Sequence, residues 1–208
     1  MNRRWCVLAL AVACSLSGTV SAQDEPPKTA PVAPDPALCQ VEPRPLADFA
    51  AFAGTPAASP PAASPPAASA KELSVPAGTP ADAATVEAVM ATIHEYYACS
   101  NGNDFPRAFA LLTDAGLKRT LSLTGMTEKE LAFLAETPGP TDKRDWEAVA
   151  ISEVVTLPDD RVAARIDGIG LGGPFRGLVL LVPEADRYLI DELAILRDPM
   201  PAKETPPA

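Results

Sequence analysis

AVAISEVVTLPDDRVAARIDG, residues 148–168, is the stretch on which the fold turns. Val149 and Ile151, then Val155 and Leu157, alternate or cluster as apolar residues do along a strand. Pro158-Asp159-Asp160 has the chemistry of a turn, and Val162, Ala164 and Ile166 alternate again on a second strand. Further on, residues 168–175 (GIGLGGPF) read as a flexible connection, 178–182 as a fully apolar strand, 183–187 as a turn and 188–196 as the last strand. Gly170, Gly172 and Gly173 have no strand-to-helix context, so they are not a phosphate loop.

Upstream the period is helical. Asp82 is placed to cap a helix after Pro80, along which Val86, Val89, Met90, Ile93, Tyr96 or Tyr97 and Ser100 recur every three or four residues. Asn101-Gly102-Asn103 ends it, with Gly102 free to take a left-handed conformation. Asp104 then caps a second helix that tolerates Pro106 in its first turn and buries Phe105, Ala108, Phe109 and Leu112. Residues 117–123 suit a short third helix. Thr127 and Glu130 form a capping box for a fourth, which carries Leu131, Phe133 and Leu134. Helices first and an antiparallel meander after them predict an α+β domain over 82–198, with the helices packed on one face of a curved antiparallel sheet.

The flanks are of other kinds. Residues 1–22 read as a secretory signal: Arg3 and Arg4, an apolar run from Cys6 to Ala13, and Val20-Ser21-Ala22 before Gln23. A second reading makes Cys14 the lipidated residue of a lipoprotein; cleavage after Ala22 is preferred. The apolar run is shorter than the roughly 20 residues a spanning helix needs, and no later segment could span a membrane. The expected location is therefore outside the cytoplasm, released or held in the envelope. Residues 23–38 are Pro-rich and expected to be disordered, as is the tail 199–208. Residues 54–81 contain AASPPAASPPAASA, a spacer whose composition favours an extended, solvated chain.

Between these lies CQVEPRPLADFAAF in a short element, 39–53, in which Leu46, Phe49 and Phe52 recur at helical spacing after Pro45. So short an element cannot offset its own chain entropy and has to dock elsewhere. Of four cysteines, Cys6 and Cys14 leave with the signal, and Cys39 and Cys99 remain to pair in an oxidising compartment. Two thiols and a lone histidine match no metal-ligand spacing, so neither a metal nor a cofactor is expected. The net charge is −10, with 11 basic residues scattered among 20 acidic ones between Asp82 and Asp198, which excludes a nucleic-acid surface.

Asn101-Gly102-Asn103-Asp104 at the helix junction, Ala110-Leu111-Leu112-Thr113-Asp114 after it, and the strand pair Asp160-Arg161-Val162-Ala163-Ala164 and Arg187-Tyr188-Leu189-Ile190-Asp191-Glu192 resemble the nuclear transport factor 2-like superfamily. The likeness is to its SnoaL-like members and to the ketosteroid isomerase type of cone, and it covers about residues 82–196. The resemblance implies a cystatin-like, cone-shaped α+β barrel whose sheet curls round an apolar pocket. It also implies two cones pairing sheet to sheet, so a homodimer is among the expectations. Enzymes of that kind use a carboxylate base with a tyrosine donating to the oxyanion. The tyrosine falls on Tyr96, but the base falls near Thr120, which cannot take a proton from carbon, and Lys118 and Arg119 are no substitute.

The chain is therefore expected to be a non-enzymatic module binding a small apolar ligand or a partner domain. Tyr96, Tyr97, Trp146 and Phe175 are the candidate lining of its cone. The alternative is an isomerase or dehydratase using Tyr96 and His94 with Asp191 or Glu192, which as strand neighbours would point to opposite faces. For each of these residues a structural role is the default. Aromatic rings pack in cores, His94 borders the apolar stripe, and Asp104 is explained by capping. A third expectation, a purely structural or oligomerising domain, predicts a cone plugged by its own side chains.

Overall fold

The computed structural model describes residues 30–52, 73–125, 127, 129–130, 132–133 and 145–197. The signal, the lipidation candidate Cys14, the repeat 57–70 and the tail 199–208 lie outside the described residues.

The helical half follows its caps. The Asp82 carboxylate accepts from the Thr85 N–H at 2.7 Å and opens α2 (Ala83–Asn101). Asp104 does the same for α3 (Phe105–Ala110), and Thr113 for α4 (Asp114–Thr124), which Gly125 ends in a left-handed conformation, φ 65°. The end of α2 departs from expectation. Gly102 stays right-handed at φ −79°, and Asn103 takes the left-handed conformation at φ 53°. Asparagine tolerates that region better than other side chains do. Thr127 and Glu130 form the capping box, but Phe133 beyond it is 64% exposed rather than in the core.

The strands β1 (Thr79–Pro80), β2 (Trp146–Thr156), β3 (Val162–Gly170), β4 (Gly173–Glu184) and β5 (Arg187–Arg197) form one antiparallel sheet in the order β1-β2-β3-β4-β5. The sheet is open; it does not close into a barrel. Pairing puts Val149, Ile151, Ala164, Ile166, Phe175, Val179, Leu181 and Ile190 on the face that meets α2, α3 and α4. Each of these side chains except the small Ala164, fully buried, contributes about 1.5–3 kcal/mol of transfer free energy.

GIGLGG is not a flexible connection. Gly168 and Gly170 belong to β3, Leu171 and Gly172 make a tight turn, and Gly173 (φ 96°) starts β4. At the other side of the sheet, the junction of α3 and α4 covers the outer edge of β5. Ile190 donates to Leu111 O and accepts from the Thr113 N–H, at 2.8 and 2.9 Å, while Gly116 lets the α4 backbone approach Ile190 and Asp191. Along 193–197 no described residue hydrogen-bonds that edge.

The short N-terminal element packs against the domain, with contacts that begin upstream of Cys39 at Val32. Val32 pairs with Val149 in both directions, a 3-10 turn spans Pro36–Leu38, and α1 (Leu46–Phe52) buries Phe49 edge-on to Phe109. Leu46 stays exposed. Cys39 and Cys99 form the expected disulfide.

Candidate functional site

Four aromatic side chains singled out in the sequence meet in space. α2 carries Tyr96 and Tyr97; Trp146 opens β2, and Phe175 lies near the start of β4. Tyr97 contacts Tyr96 at 5.4 Å and Trp146 at 4.8 Å between ring centroids, and Trp146 contacts Phe175 at 5.0 Å, all edge to face. Edge-to-face pairs add to the energy of burial itself. Two glycines make this packing fit. A Cβ on Gly168 would sit 2.5 Å from the Phe175 ring, and one on Gly170 3.2 Å from the Trp146 indole.

The four rings pack on one another. Tyr97 is 1% exposed and Phe175 2% exposed. Phe175 belongs to the core, and Trp146 is half-buried against it. Burial drives the Tyr96 hydroxyl up to about 12 and pushes Tyr97 well above its ordinary value. Neither phenol is an acid or a base at neutral pH. The Tyr97 hydroxyl is buried and finds no hydrogen-bond partner among the described residues.

His94 lies elsewhere on α2. It ends a surface groove of about 600 Å³ lined by Ala81, Ala83, Val86, Glu87, Met90 and Ala91. Its Nε2 is buried without a hydrogen-bond partner among the described residues, and desolvation lowers its pKa from the ordinary value. No hydrogen bond or ion pair joins it to Asp191 or Glu192 among the described residues.

Those two acids are held by other groups. A register shift opposite Leu180 and Leu181 leaves Asp191 unpaired in a bulge, so the strict alternation expected of neighbours on a strand is broken. The Asp191 carboxylate accepts from Thr113 Oγ1 at 2.8 Å and lies 4.0 Å from the Arg161 guanidinium. Glu192 faces Arg119 at 3.6 Å, and the same guanidinium donates to the Asp191 carbonyl at 2.8 Å. Thr120, where the base would fall, is half-buried on α4. The structure thus brings together Tyr96, Tyr97, Trp146 and Phe175, and does not bring His94 to either acid.

Sequence reading missed the residues that tie the arm to the domain. Asn101, 1% exposed, donates through Nδ2 to Pro34 O and Trp146 O, each at 2.9 Å, and accepts from the Trp146 N–H at 2.9 Å. The Glu95 carboxylate accepts from the backbone N–H groups of Gln40 and Val41 at 3.0 and 2.6 Å. Arg44 pairs with Asp114 and lies 3.8 Å from Asp48. No sequence pattern announces Asn101 or Glu95, because their partners are distant in the chain. A second cavity, of about 370 Å³, lies between Pro76, Leu157, Asp159, Arg161 and Leu180.

Among the described residues no group of three or more His, Cys, Asp or Glu could hold a metal ion, and no helix is long and apolar enough to cross a membrane. Comparison of the chain with known protein families, characterised proteins and solved structures gives no match.

Proposed function

We propose that this chain is an exported, non-enzymatic module of the nuclear transport factor 2-like type that acts by association with a partner rather than by chemistry. The observation that supports this reading is the quartet of Tyr96, Tyr97, Trp146 and Phe175. Rings that would line a cone spend their surface on one another, so a ligand entering there would have to separate well-packed edge-to-face pairs. A proton-transfer site would need a base and a donor converging on one space. Here His94 borders an outer groove, and the acids serve Thr113, Arg119 and Arg161. Export is supported by the N-terminal pattern and by a disulfide, which persists in oxidising compartments.

One observation favours a second reading, a small apolar ligand inside the domain. The Tyr97 hydroxyl is buried without a partner among the described residues, and a ligand or water could satisfy it. Native and denaturing mass spectrometry of protein exported with its own signal separates the two. The expected result is a chain beginning at Gln23, two hydrogens light, with no small adduct. An adduct that departs on denaturation would overturn the partner reading in favour of the ligand. A diacyl group on Cys14 would instead tether the module to a membrane.

A further inference from the structure

Ala163 and Leu180 alternate along their strands with residues of the main core, so they lie on the opposite face of the sheet. With Leu157 they form a small buried cluster there, against which Val75 packs. The β2–β3 turn beside this cluster is closed by its own backbone. The Leu157 N–H donates to Arg161 O at 2.8 Å and the Asp160 N–H to Leu157 O at 3.1 Å. β1 fixes the other wall: Thr79 and Pro80 pair with β2, and Gly78 passes so close that a Cβ would sit 2.5 Å from Thr156 O. Between the two walls, Pro76, Ala77, Leu157, Leu180, Asp159 and Arg161 bound the cavity of about 370 Å³. That volume is within the range of ligand sites.

Two of these residues are polar, and they form a pair. The Arg161 side chain is only 23% exposed; its Nε donates to Asp159 Oδ2 at 2.8 Å. The Asp191 carboxylate lies 4.0 Å from Nη1, beyond hydrogen-bond reach. The terminal N–H groups of Arg161 therefore make no hydrogen bond among the described residues. Asp159 accepts from the Arg161 Nε and backbone N–H and keeps lone pairs for a further donor. A donor next to an acceptor at the edge of an apolar cavity is the complement of a peptide residue, with its C=O, its N–H and an apolar side chain. Charge narrows the occupant further. One guanidinium already faces two carboxylates, so an acidic group entering here would meet Asp159 and Asp191 without a free cation to offset it.

We propose that this cavity seats an extended, apolar and uncharged segment of a partner protein. One of its side chains lies against Leu157 and Leu180, a backbone carbonyl accepts from Arg161, and a backbone N–H donates to Asp159. Main-chain hydrogen bonds supply affinity in such a seat and the pocket supplies specificity. Both walls are held by backbone pairing, so little ordering is needed on binding. This deepens the partner reading, on which it rests, by naming where the partner is held and what its segment is made of.

NMR of the disulfide-bonded, 15N-labelled protein tests it, with acetyl-Ala-Leu-Ala-amide as the probe. The expected result is saturable shifts gathered at Ala77, Leu157, Asp159, Arg161 and Leu180, with a Kd of about a millimolar. Acetyl-Asp-Leu-Asp-amide should bind about tenfold more weakly or worse. Arg161→Met keeps an apolar stem and removes the donors, and should cost the neutral peptide about tenfold. Ala77 is exposed, so Ala77→Glu leaves the fold intact while placing a carboxylate in the cavity, and it should abolish the shifts. Shifts that are absent or scattered at about 10 mM peptide would overturn the proposal. So would equal binding of the acidic peptide, or wild-type affinity in either variant. Such a failure leaves the partner reading standing, because the test for a small adduct involves neither Ala77 nor Arg161.

Discussion

Gly168 and Phe175 face one another across the β3–β4 hairpin, and the phenyl ring occupies the space a side chain on residue 168 would need. A methyl group there would also strike the carbonyl of Ala148, a backbone atom that cannot swing aside. Gly168→Ala should cost about 3 kcal/mol by overpacking, read as a fall in urea midpoint at unchanged slope. Gly125→Ala is the control. Its φ is 65° with nothing near the added carbon, so only the left-handed backbone is penalised, by about 1 kcal/mol. Equal losses would show that the ring is not held as described.

Tyr97→Phe should leave the fold intact and raise stability by about 1 kcal/mol, because it removes a buried hydroxyl that has no partner among the described residues while keeping the ring. Thermal or urea unfolding measures it. A loss of more than about 1 kcal/mol would mean that the hydroxyl is satisfied in solution.

Asn101→Ala takes one acceptor and two donor bonds from buried backbone groups of Pro34 and Trp146. The expected loss is about 4 kcal/mol, at the upper end for a polar deletion, since the groups left behind stay desolvated. A loss confined to a few tenths would say that water replaces the amide.

His94 predicts a pH dependence of one sign. Its pKa is lowered in the folded protein, so the unfolded chain binds the proton more tightly. Stability should be full above about pH 6.5, the ordinary histidine value, and should decline as pH falls from there towards the lowered folded value. Glu87, the charged residue that shares its groove, stays in place in His94→Asn, which should remove this part of the slope. Urea midpoints between pH 5 and 8 for the two proteins make the comparison, and an unchanged slope in the variant would assign it to other groups.

Much of the fold was legible because its determinants are local. Asp82, Asp104 and the Thr127–Glu130 box announce helix starts through side chains that reach only two or three residues along. The strands announce themselves by a period of two, and the disulfide by arithmetic. What escaped depends on atoms far away in the chain. The bulge at Asp191 is a one-residue slip against Leu180 and Leu181, invisible in β5 alone, and it undoes the inference that neighbours must face apart. Gly168 and Gly170 resemble loop glycines until the rings they accommodate are in view. Tyr96, Tyr97, Trp146 and Phe175 meet in space, yet whether four rings surround a space or fill it is a matter of ångströms that residue type does not encode.

The half of β5 that pairs with no described residue has one more implication. Leu193-Ala194-Ile195-Leu196 is an apolar run along a sheet edge unpaired among the described residues, the kind of template on which chains add strand to strand. Arg197 closes that run, and its guanidinium lies against Gly172, so a single charge guards the end of the edge. Arg197→Leu would leave the core untouched and extend the sticky run by one, converting a folding problem already solved into a colloidal one. Light scattering of a concentrated solution, rather than any melting curve, is where that change would register.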